Sequence, residues 1–173
     1  MYNLANALTL TRILIVPFIF FAAYYHNYQF FLPLFIIGGI SDALDGFVAR
    51  YLNQTTDFGA ILDPIADKIF ICSWYFIFAF CDTPYILPVW FFILILIKEL
   101  ILFSGSFYIY VRKKNLKIVP SFWGKLLMSF YSLLVLVLLL KINFLVNLII
   151  YTILSISVLV VIDYYRKRSS FYV

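Results

Sequence analysis

Six apolar runs separated by short polar breaks occupy nearly the whole chain. The breaks are Tyr25–Gln29, Asn53–Asp57, Asp82–Pro84, Arg112–Ser121 and Lys141–Asn143, and they predict helices at about 7–25, 30–51, 59–80, 86–111, 122–141 and 145–165. A helix needs roughly 20 apolar residues to cross a bilayer. The expected fold is therefore an all-α bundle of six transmembrane helices forming a single membrane domain over residues 1–173. Pro17 and Pro33 fall inside or near the start of spans, a placement that membrane helices tolerate. Pro84 and Pro88 bracket the start of the fourth helix, and Pro120 precedes the fifth.

Composition narrows the class. Hydrophobic residues make up 65% of the 173 and charged residues only 12%. Soluble domains carry about 25% charged residues, so a water-soluble globule is excluded, and six spans leave no room for a separate soluble catalytic domain. Cys72 and Cys81 have no CxxC or Cys/His neighbour, which argues against a disulfide framework or a zinc site. The single His26 falls in a polar break and reads as a loop residue. The N-terminus lacks a small-residue cleavage signature and reads as a retained first span.

Basic residues set the expected orientation. Arg12, Arg50, the Arg112, Lys113, Lys114 and Lys117 group, and the Arg166, Lys167 and Arg168 tail all fall on one side; the other has only Lys141 and His26. The positive-inside rule then places both termini in the cytoplasm. The net charge of +5 marks a cytoplasmic rim facing anionic headgroups and calls for no nucleic-acid partner. Trp74, Trp90 and Trp123 lie near expected span ends and read as an interfacial belt. Asp163 reads as the partner of Arg166, one turn on.

Against this apolar background stand Asp42, Asp45, Asp63 and Asp67, half of the eight acidic residues in the chain. Each carboxylate facing lipid costs at least about 2.5–3.5 kcal/mol, so the cluster needs positive charge. Asp42 and Asp45 are three apart and Asp63 and Asp67 four apart, so on helices each pair shares a face. The second helix runs toward the cytoplasm and the third returns from it, so the four side chains can converge just below the surface. Paired carboxylates offer hard oxygens suited to Mg²⁺ or Mn²⁺, and two such ions balance four carboxylates. Gly46, Ala49 and Gly59 remove bulk beside the acids, and Arg50 offers a planar donor fork for phosphate. Pro64 fits a first turn or a kink, so Asp63 is a candidate N-cap. A purely structural reading pairs the aspartates with Arg50 and Lys68, but two cations do not match four carboxylates and such pairing does not require the small residues. Beside Asp67, Lys68 reads as a local counter-ion.

The frame Asp42-x2-Asp45-Gly46-x2-Ala49-Arg50-x8-Gly59-x3-Asp63-x3-Asp67 resembles the signature of the CDP-alcohol phosphatidyltransferase family at every fixed position. That resemblance implies a six-helix membrane fold, often homodimeric, with two divalent ions among the aspartates. It implies metal ligation by Asp42, Asp45, Asp63 and Asp67, contact of Gly46, Ala49, Arg50 and Gly59 with the cytidine diphosphate part of the donor, and general-base catalysis by Asp67. The expected reaction moves a phosphatidyl group from CDP-diacylglycerol to an alcohol, with release of CMP, at the inner membrane's cytoplasmic face.

The opening Asn6-Ala-Leu8-Thr9-Leu-Thr-Arg12 looks like the start shared by the glycerol 3-phosphate and cardiolipin branches, while Lys98-Glu99, where the former usually has Arg-Glu, and Gly124-Lys125 look like elements of the branch whose acceptor is glycerol 3-phosphate. A phosphorylated acceptor needs cations, and Lys98, Arg112, Lys117 and Lys125 are the candidates; Glu99 is the alternative partner of Lys98. The run Lys98–Tyr110 also resembles the branch that uses phosphatidylglycerol to form cardiolipin. A cation-coupled transporter is the non-enzyme alternative. It predicts charges spread along a path, whereas these acids cluster within 26 residues, 42–67.

Overall fold

All six apolar runs form α-helices in the computed structural model, which describes residues 4–51, 57–112 and 122–169, with side chains over 10–44, 65–104 and 122–164. The helices are α1 (Leu4–Tyr24), α2 (Phe31–Tyr51), α3 (Asp57–Phe80), α4 (Val89–Arg112), α5 (Phe122–Leu139) and α6 (Asn143–Ser169), with a 3₁₀ turn at Tyr28–Phe30 before α2. No strand occurs among the described residues. Two of these helices, over Phe122–Leu139 and Asn143–Tyr164, are long and apolar enough to cross a membrane; Leu10–Tyr24 and Tyr28–Leu44 are shorter apolar stretches. Leu14, Phe18, Phe21, Phe144 and Tyr151 are all more than 60% exposed. Bulky apolar groups displayed this widely suit lipid as the surrounding solvent.

Two helix starts differ from expectation. α4 begins at Val89 rather than near 86. Pro88 disfavours helical geometry at Leu87, and the Leu87 N–H instead donates to the Phe78 carbonyl at 3.1 Å. α3 begins at Asp57, six residues before Asp63, so Asp63 is an interior residue and not an N-cap. The helix continues through Pro64, whose missing N–H costs one backbone hydrogen bond rather than the helix.

The chain divides into two compact units, Met1–Leu87 and Pro88–Val173. In the first, α1 packs on both α2 and α3. Its buried positions Arg12, Ile15, Ile19, Ala22 and Ala23 recur every three to four residues, which makes one stripe. Phe70, Trp74 and Phe78 form the matching stripe on α3. The Trp74 ring meets Phe31 edge-on at 5.2 Å and Phe35 at 5.9 Å. Trp74 is wholly buried and so belongs to this aromatic core, not to an interfacial belt; Trp90 and Trp123, second residues of their helices, are 50% and 37% exposed. Gly38 lets the Phe70 ring lie against α2, because a Cβ there would fall on the ring carbons.

In the second unit α5 and α6 pair as a hairpin. Leu127, Tyr131, Leu134, Val135 and Leu138 are its buried side on α5, and Val146, Ile149, Ile153, Ile156 and Val160 that on α6.

The tight turns after α1 and α5 share one construction. Asn27 N–H donates to the Ala22 carbonyl and His26 N–H to the Ala23 carbonyl; Ile142 donates to Val137 and Lys141 to Leu138 in the same way. His26 (φ 54°) and Lys141 (φ 58°) take the left-handed position, which closes two Schellman caps without glycine. The turn at His26 is tied down further: His26 Nδ1–H donates to Tyr28 Oη at 2.5 Å, and that hydroxyl donates to the Asp82 carbonyl at 2.5 Å. Desolvation, with the Asp82 charge second, raises the Tyr28 pKa, so the hydroxyl stays protonated.

Candidate active site

The aspartate frame runs along the end of α2 and the first half of α3. Asp42 and Asp45 sit one turn apart on α2, and Asp63 and Asp67 one turn apart on α3. The side chains of Asp42 and Asp67 are described; those of Asp45, Gly46, Ala49, Arg50, Gly59 and Asp63 lie outside the described side chains.

What joins the two helices is a residue of the third. Arg12 of α1 brings Nη1 to Asp42 Oδ1 at 2.8 Å and also to Asp67 Oδ1, so one guanidinium nitrogen holds the first and last acids of the frame. Exposure separates the partners: the Arg12 side chain is 1% exposed, Asp42 56% and Asp67 30%. The guanidinium forms the floor, and the carboxylates keep faces open above it. Arg12 reaches this place because it occupies the buried stripe of α1, one turn from Ile15. Beside it, the Thr11 and Ser41 hydroxyls hydrogen-bond across α1 and α2. Burying a guanidinium costs several kcal/mol unless carboxylates meet it, so the arrangement requires the acids as much as they require it.

The exposed faces of Asp42 and Asp67 carry hard carboxylate oxygens, the donor type that divalent cations such as Mg²⁺ or Mn²⁺ take. Among the described residues there is no group of three or more His, Cys, Asp or Glu side chains placed for a metal. Asp45 and Asp63, the other two expected ligands, are in the part of the frame whose side chains are not described.

The expected acceptor cations are distributed over the second unit. Lys98 on α4 pairs with Glu99 at 2.6 Å and donates to Tyr131 Oη on α5 at 2.8 Å, with Lys98 11% and Glu99 14% exposed. Its charge is met in place by Glu99. Lys125 is exposed in the first turn of α5. Arg112 ends α4, its side chain not described, and Lys117 lies outside the described residues.

Arg12 is a site residue that the sequence placed on the charged rim and at the end of the Asn6–Arg12 opening, not with the aspartates. The available signal was its register: Arg12, Ile15 and Ile19 follow the helical repeat of the buried face.

Comparison with known proteins defines the class. The model of the CDP-alcohol phosphatidyltransferase family matches residues 2–162, and the chain belongs to that family. It is a membrane transferase of phospholipid synthesis. A protein of Aquifex aeolicus named CDP-diacylglycerol–glycerol-3-phosphate 3-phosphatidyltransferase is 37% identical over 131 residues, 76% of this chain and 72% of that protein. One of the same name from Wigglesworthia glossinidia brevipalpis is 49% identical over 72 residues, 40% of each chain. Human cardiolipin synthase (CMP-forming) is 32% identical over 112 residues, 64% of this chain and 36% of that protein. The matches thus span less than half of the last two proteins, and none supports a transporter.

Proposed function

We propose that the chain transfers a phosphatidyl group from CDP-diacylglycerol to glycerol 3-phosphate, giving phosphatidylglycerophosphate and CMP. The observation that carries this reading is the convergence of Asp42 and Asp67 on Arg12, within a chain whose Aquifex relative bears that activity's name. A second reading, transfer to phosphatidylglycerol to form cardiolipin, is favoured by the match to human cardiolipin synthase.

In this reading Asp42, Asp45, Asp63 and Asp67 hold two divalent cations, Mg²⁺ or Mn²⁺, which when bound neutralise the pyrophosphate oxygens. Gly46, Ala49 and Gly59 admit the cytidine diphosphate portion, and Arg50 grips its phosphate oxygens. Asp67 takes the proton from the acceptor hydroxyl. The hydroxyl oxygen bonds to the lipid-side phosphorus, the bond from that phosphorus to the bridging oxygen breaks, and CMP departs with the bridging oxygen. Arg112, Lys117 and Lys125 are the cations left for the acceptor's phosphate, since Glu99 and Tyr131 already hold Lys98. The diacylglycerol tails stay in lipid, so only the headgroups need positioning.

The same reading places the chain as one domain of six membrane spans in the inner membrane, both termini cytoplasmic, functioning as a homodimer. The basic clusters on one set of connections support the orientation. Labelling of single cysteines introduced in the 53–56 and 113–116 breaks tests it: reagents confined to the outside must fail to modify them.

The deciding experiment incubates purified protein, Mg²⁺ and labelled CDP-diacylglycerol with a panel of alcohols and identifies the lipid product. Phosphatidylglycerophosphate from glycerol 3-phosphate is expected. Cardiolipin from phosphatidylglycerol moves the assignment to the second reading, and no CMP release with any alcohol overturns both.

A further inference from the structure

A buried arginine under two half-open carboxylates raises the question of what keeps the acids together before any divalent cation arrives. Asp42 and Asp67 belong to different helices, and like charges at close range repel by several kcal/mol in a medium of effective dielectric about 20. Arg12 supplies the compensating charge from a third helix, and with 1% exposure its guanidinium has no water to turn to. Its Nη1 touches both acids, and α1 packs on both helices that carry them.

We propose that Arg12 is a resident counter-ion and positioning residue. It clamps Asp42 to Asp67 and so holds α1, α2 and α3 assembled in the metal-free protein. The proposal rests on reading the two acids as metal ligands. By themselves one guanidinium and two carboxylates carry net −1, with Lys68 next to Asp67 in the chain. Arg12 and the ion neutralise the same carboxylates, so the Arg12 charge is worth more in the empty site than in the filled one, and by linkage its loss makes folding more dependent on the ion. A residue that merely shaped the site for metal predicts the reverse, and one that merely filled the core predicts equal loss with and without metal.

The test measures thermal unfolding of the purified full chain in detergent, in EDTA and in saturating Mn²⁺, for wild type, Arg12→Gln and Arg12→Lys. Arg12→Gln is expected to lower the midpoint in EDTA by about 5 °C or more and to recover much of that loss in Mn²⁺, so that its Mn²⁺-induced rise exceeds the wild-type rise. Arg12→Lys keeps the charge as a more strongly hydrated ammonium that is costlier to bury, and its Mn²⁺-induced rise should fall between the two. Precipitation of Arg12→Gln on chelation after purification in Mn²⁺ also supports the proposal. If Arg12→Gln cannot be purified at all, the Lys variant decides: a rise no larger than wild type overturns the proposal. Equal losses in both conditions, or a smaller Mn²⁺ effect in the variants, overturn it as well. No Mn²⁺ effect on any of the proteins overturns it together with the metal reading. Should wild type release no CMP from CDP-diacylglycerol while the thermal pattern holds, the proposed reaction falls and the role of Arg12 stands.

Discussion

In each unit a basic side chain lies among apolar helices beside acidic ones, yet the two groups differ in what they leave open. On α4 and α5, Lys98, Glu99 and Tyr131 close on one another, and both charged side chains are under 15% exposed. On α1, α2 and α3 only the cation is buried; Asp42 and Asp67 keep 56% and 30% of their side-chain surface. A closed set of matched charges is complete and mainly holds helices together. An open set with surplus negative charge has capacity for a ligand. The contrast supports the proposed chemistry in the first unit.

The largest effect should come from the open set. Asp67→Asn is expected to lower CMP release by about 10³-fold, the order for loss of a general base beside a metal, and to lower the unfolding midpoint in EDTA as well, because buried Arg12 keeps only Asp42 as a charged partner. Near-normal turnover would remove Asp67 from the mechanism. The closed set should respond chiefly in stability. Lys98→Ala strands a nearly buried carboxylate and is expected to cost about 3–5 kcal/mol of stability, read by SDS unfolding in mixed micelles. Replacing both partners, Lys98→Met with Glu99→Leu, should restore most of it. A single variant as stable as wild type would show that the set is not closed.

Smaller effects separate the packing of the units. Gly38→Ala drives a methyl group into the Phe70 ring and should cost about 1–3 kcal/mol. At Gly39 a Cβ meets nothing within 4 Å, so Gly39→Ala should be neutral or gain up to about 1 kcal/mol. Equal outcomes at the two glycines would mean that α2 and α3 are not held as close as Phe70 indicates. The smallest contrast lies in the twin caps. Lys141→Gly relieves a left-handed conformation and should gain about 0.5 kcal/mol. His26→Gly should gain nothing, because it also deletes the hydrogen bond to Tyr28.

Much of the fold was legible because each helix is an apolar run longer than three turns, set off in the sequence by short polar breaks. The helix ends at 24, 51, 80 and 112 lie within a residue of those expected. The start of α4 was less legible: hydropathy cannot see that Pro88 forces the preceding backbone out of helical geometry. Nor could it place Trp74, since in an apolar chain the lipid-facing and core-facing residues have the same chemistry. The Phe70, Trp74, Phe78 spacing was the clue. For the site, the four acids announced themselves by their cost in lipid, whereas Arg12 looked like one more rim charge. Its register with Ile15 and Ile19 was the one hint that it points inward, and its contacts with Asp42 and Asp67 show it.

The signature that identifies the family is confined to two helices, but the charge that joins its ends comes from outside that signature. A two-helix graft of residues 42–67 into another scaffold would therefore carry the lettering of the site without its keystone. The smallest portable version of the joined aspartate pair is a three-helix module that includes α1.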